Sequence, residues 1–156
     1  MLLLAVGEAD PSQPPPTMMT REAWFKAHAD DELEALDELA GGPHATGAWK
    51  RLHDLYRECP GCCENSADEG FGWIPATLLA KHWVLVDEFG ALAVKDPAWL
   101  DFVMKRLHGP IDPKLLRQAA ANARTCPKAH RRLCERIRVN AQQAAKEVEG
   151  EMRRDP

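Results

Sequence analysis

The sequence predicts a mainly α fold: five or six helices in one compact domain, with a short β-hairpin over about 83–94 and a Cys/His zinc site. Three observations predict it. Apolar residues recur at helical spacing along most of the chain. Asp-Pro pairs, which supply a cap and a first helical residue together, stand at 96–97 and 112–113. Gly or Pro ends most of the periodic segments. A length of 156 residues fits one domain with a real core.

Residues 7–17 hold four prolines and almost nothing to bury, so 1–18 read as a disordered Pro-rich leader and 19–152 as the domain. From Thr20 to Ala40, Trp24, Phe25, Ala29, Leu33, Leu36 and Leu39 share one helical face, with Thr20 as N-cap and Gly41-Gly42-Pro43 as the stop. The opposite face carries Asp30, Asp31, Glu32, Glu34, Asp37 and Glu38. A second helix is expected from Thr46 to Glu58, with Trp49, Leu52, Leu55 and Tyr56 inward. Residues 59–72 have no period and read as a loop that a metal would order. Pro75 reads as the first residue of a short helix. Trp83–Val86 and Ala91–Val94 around Asp87-Glu88-Phe89-Gly90 read as the hairpin, although a helix continued to Phe89 with Gly90 as its cap fits the same residues. Asp96-Pro97 and Asp112-Pro113 open two further helices, and the last helix runs from Pro127 to about Met152.

All five cysteines fall in two groups, Cys59-Pro60-Gly61-Cys62-Cys63 and Cys126 with Cys134, and His130 lies between the latter two. A Cys-x-x-Cys knuckle can present two thiolates to one tetrahedral zinc, and a Cys/His pair at a helix start can complete the set. The expected ligands are therefore Cys59, Cys62, Cys126 and His130, with Cys63 and Cys134 as alternates. Four thiolates, from Cys59, Cys62, Cys126 and Cys134, would instead suit an iron–sulfur cluster. Four filled positions leave no open site for water, which argues against catalysis at the ion.

Net charge is only −4, yet it is unevenly placed. Residues 1–101 carry 7 basic and 18 acidic side chains, whereas residues 105–138 carry 10 basic and 2 acidic. The basic stretch fits a nucleic-acid interface, with Lys128, Arg131, Arg132, Arg136 and Arg138 meeting phosphates and Asn140, Gln142 and Gln143 reaching base edges. No aromatic residue interleaves with these charges, so base stacking is not expected there. The same asymmetry also fits two halves that pair with each other on folding. The acidic first helix would suit a protein–protein adaptor or inhibitor with a basic partner.

The order of His28, the His53-Asp54 dipeptide and Asp87 or Asp101 resembles that of metal-dependent phosphohydrolases, a resemblance of order that covers little of the chain and lacks the surrounding motif. It implies a divalent ion activating water. No phosphate loop, dinucleotide fingerprint or serine elbow is present. The reading is thus a non-enzymatic, zinc-stabilised regulatory or binding module, with DNA or RNA favoured over a basic protein partner. The apolar run at 1–7 is short and lacks a preceding cation, and no stretch reaches membrane-spanning length, so the expected location is cytoplasmic.

Overall fold

Local caps decide where the first helices begin. The Thr20 hydroxyl accepts the Ala23 N–H at 3.1 Å, and α1 (Arg21–Trp24) runs through a π turn (Phe25–Ala29) into α2 (Asp30–Gly41). The computed structural model describes residues 20–63 and 69–155; the leader expected over 1–18 lies outside the described residues. Next come α3 (Ala48–Glu58), the single turn α4 (Pro60–Cys63), and α5 (Gly70–Lys81). A 3-10 turn (Trp83–Leu85) leads into α6 (Val86–Lys95) and then α7 (Pro97–Arg106). The chain closes with α8 (Pro113–Asn122), a 3-10 turn (Lys128–His130) and α9 (Arg131–Arg154). The result is a mainly helical domain.

Helix α5 is the centre of the packing, because nearly every residue from Phe71 to Ala80 is buried, and a helix apolar on all sides needs neighbours on all sides. Those neighbours are α2, α7 and α8, and α8 in turn lies along α9. Gly72 sets the approach of α5 to α7: a Cβ there would stand 2.6 Å from the Arg106 carbonyl oxygen. At the other end of α5, the Asn122 amide donates to the carbonyls of Leu79 and Ala80, both at 2.9 Å, closing acceptors that the helix leaves open. His82 Nε2 carries a proton and donates it to the Ala40 carbonyl at 2.8 Å, since a carbonyl can only accept. This bond ties the end of α5 to α2.

Three expectations need correction. Residues 83–94 form no hairpin; they are a 3-10 turn and most of α6. The apolar residues there do not alternate between a core face and solvent as strand pairs would: Val84 is 84% exposed and Val94 79% exposed, while Val86, Phe89 and Ala93 are buried on one helical face. Gly90 is an interior residue of α6 rather than a turn or cap, and the ring of His130 occupies the space beside it. Pro75 sits inside α5, which begins five residues earlier at Gly70. The stretch 59–72, expected as one loop, contains α4 and the start of α5.

Candidate functional site

The segment between α8 and α9 is held in place by contacts that begin at Thr125. The Trp83 indole N–H donates to the Thr125 carbonyl at 3.0 Å, and Cys126 is disulfide-bonded to Cys134, one turn into α9. Between the two sulfurs, the Lys128–His130 turn brings His130 over α6. Its Nε2 stands 2.9 Å from the Asp87 carboxylate, and its ring covers Gly90 so closely that a Cβ there would lie 2.5 Å from Cε1. Asp87 and Gly90, three apart on α6, form one seat for the ring.

This placement creates a cleft of about 450 Å³. Gly90, Ala93 and Val94 of α6, Leu100 of α7 and Leu133 of α9 give it an apolar floor. Lys128, Arg131, Arg132 and Arg136 stand around it. The side chains of Lys128, Arg131 and Arg132 are exposed and make no ion pair or hydrogen bond with any described residue. Arg136 reaches Asp101 at 2.9 Å. The cleft also lies at the positive end of the longest helix, which adds to an attraction for anions.

The other residues expected at this interface are engaged elsewhere. Arg138 pairs with Glu135 at 2.6 Å and donates to Gln142 at 3.1 Å. The hydrogen bond to Glu135 comes first among the causes that raise its guanidinium above the ordinary value. Asn140 meets His108 and the Arg136 carbonyl, and Gln143 donates to Glu147. The three amides that could read base edges thus already have partners.

The expected four-ligand metal site does not assemble. Cys59 is bonded to Cys62 and Cys126 to Cys134, so sulfur pairs form within each group rather than across the two, and His130 turns to Asp87 instead. A sulfur in a disulfide is not the thiolate that zinc or an iron–sulfur cluster requires. The alternates do not rescue the site: Cys134 is in a bridge, and Cys63 is buried in α4. Among the described residues no group of three or more His, Cys, Asp or Glu could hold a metal ion.

The residues ordered like phosphohydrolase ligands are also dispersed among separate partners. His28 is exposed beside Trp24, and Asp54 pairs with Lys50 at 2.6 Å. Asp87 meets His130 and Asp101 meets Arg136. His53 is buried and donates from Nε2 to Asp96 at 2.9 Å. That hydrogen bond, aided by the Trp99 N–H on the other carboxylate oxygen, holds Asp96 below the usual carboxylate range. From the sequence alone Asp96 reads only as a helix cap. No local signal gives the partner 43 residues away.

On α2, Glu32 is bonded to Arg51. Asp30, Glu34, Asp37 and Glu69 line a second cleft, of about 420 Å³, with Trp73 in its wall at 38% exposure. No helix among the described residues is long and apolar enough to cross a membrane. The chain matches no protein-family model, no curated protein and no solved structure.

Proposed function

We propose that the chain is a non-enzymatic binding module that holds the phosphate backbone of DNA or RNA at the start of α9. The observation that carries this reading is the convergence of Lys128, Arg131 and Arg132, uncompensated by any described acidic side chain, with Arg136 around one cleft. Cations without intramolecular partners are the ones free to release counterions from phosphate. Because the neighbouring amides are engaged, binding is expected to be indifferent to base sequence. The test is fluorescence anisotropy of labelled duplex DNA and RNA with the wild type and a Lys128→Ala/Arg131→Ala/Arg132→Ala variant. Loss of binding in the variant, with its helical circular dichroism intact, supports the reading; unchanged binding sinks it.

A cytoplasmic setting goes with this proposal. The runner-up is an adaptor that receives a Lys/Arg-rich segment in the cleft of α2, where an exposed indole among four carboxylates suits a cation. It predicts quenching of Trp73 fluorescence by a basic peptide, with no loss of that response in the triple variant.

A further inference from the structure

The two disulfides differ in what they can do for the fold. Cys126–Cys134 spans eight residues and pins the 126–134 segment to α9, with Cys134 buried. Cys59–Cys62 spans three residues within one turn, and the Cys62 N–H already closes that turn on the Cys59 carbonyl at 3.0 Å. A crosslink that short removes less freedom from the unfolded chain than the longer loop does. Its making and breaking therefore disturb the fold less, as a pair that cycles requires.

Access and reach fit the same role. Cys59 is partly exposed, whereas Cys62 is 8% exposed and Cys63 fully buried, so a second molecule meets Cys59 first. Cys62 and Cys63 stand three and four residues further on, one helical turn away, and the Cys63 Sγ lies 3.6 Å from the Cys59 carbonyl oxygen. Cys59 is both the C-cap of α3 and the residue before α4, so it stands at a chain corner rather than inside a helix.

The geometry points to Cys59 and Cys62 as a thiol–disulfide exchange site that reduces disulfides in peptide or protein substrates, independently of the nucleic-acid reading. In the first step the Cys59 thiolate attacks one sulfur of the substrate disulfide. A mixed disulfide forms, and the other substrate sulfur leaves as a thiolate that takes a proton from water. The Cys62 thiol loses its proton to water and attacks the Cys59 sulfur. The second substrate thiolate leaves, and the Cys59–Cys62 disulfide remains. Two electrons have passed from the pair to the substrate, and an external dithiol restores the reduced pair by the same exchange.

The experiment follows reduction of a labelled peptide disulfide by dithiothreitol with the full chain present in catalytic amount. Wild type, Cys63→Ala and the double variant Cys126→Ser/Cys134→Ser are expected to accelerate the reaction, and Cys59→Ser to lose the acceleration. Cys62→Ser/Cys63→Ala, pre-reduced and then mixed with the peptide disulfide after dithiothreitol is removed, is expected to stop at the mixed disulfide, which mass spectrometry reads as the chain plus one peptide thiol at Cys59. Circular dichroism of each variant separates loss of exchange from loss of fold. Alkylation of the mildly reduced wild type gives a second readout, in which Cys59 is labelled before Cys62. A wild type no faster than dithiothreitol alone, a fully active Cys59→Ser variant, or alkylation of Cys62 before Cys59 would overturn the proposal.

Discussion

Replacing Gly90 with alanine tests whether the His130 ring is seated as described. In an exposed helix interior this exchange gains about 1 kcal/mol from backbone entropy. Here the new Cβ would meet His130 at 2.5 Å from Cε1 and 2.6 Å from Nδ1, so the ring must leave its seat. Overpacking of this kind costs about 1–3 kcal/mol. The His130–Asp87 pair adds less than about 1 kcal/mol, because the Asp87 side chain is 72% exposed. The net expectation is a loss of about 1–2 kcal/mol in urea denaturation. In a His130→Ala background the obstacle is gone, and the same Gly90→Ala exchange should stabilise by up to about 1 kcal/mol. The double-mutant cycle therefore predicts a coupling of about 2–3 kcal/mol between positions 90 and 130. A coupling below about 0.5 kcal/mol would refute the seat, and with it the argument for how the cleft is shaped.

Three further predictions follow from the same contacts. Removing the Cys126–Cys134 bridge as a double serine variant should cost roughly 2–3 kcal/mol by the chain-entropy relation for a loop of this length, and should also weaken nucleic-acid binding; retained affinity would show that the bridge does not shape the cleft. Asp96 is held below its ordinary value by His53, so its contribution is present above the unfolded carboxylate range near pH ~3.9 and is lost as pH falls through the lower folded value. The stability gap between wild type and Asp96→Asn, read from urea midpoints, should thus close in strong acid, and a gap that stays constant to that limit would contradict the pairing. Elemental analysis of the disulfide-bonded chain purified without added metal should find neither zinc nor iron in stoichiometric amount, because four of the five cysteine sulfurs are bridged; one equivalent of either would restore the metal reading.

What the sequence made legible is what its neighbours along the chain decide. Thr20, Asp96 and Asp112 cap helices as expected, because each side chain reaches an N–H two or three residues ahead. Pro97 and Pro113 open α7 and α8 for the same local reason. The hairpin expectation fails because Gly90 has the local signature of a turn residue, whereas its missing side chain answers a histidine 40 positions later. The cysteines pose a different problem. Spacing alone fits ligands and disulfides equally, and only three-dimensional proximity shows that each group can satisfy itself. The basic stretch was plain in the composition, but its partition was not: Arg136 goes to Asp101, Arg138 to Glu135 and Arg117 to Glu149, and of the cations left over only Lys128, Arg131 and Arg132 line the cleft.

Salt dependence of binding to a short labelled duplex tests the central claim most directly. Three phosphate contacts predict a slope of about −2.7 in log K against log salt, or a loss of about 40-fold in affinity between about 50 and about 200 mM salt. The Lys128/Arg131/Arg132 triple alanine variant should lose that slope together with the binding. Affinity that ignores salt, or a triple variant that keeps the wild-type slope, would contradict the account.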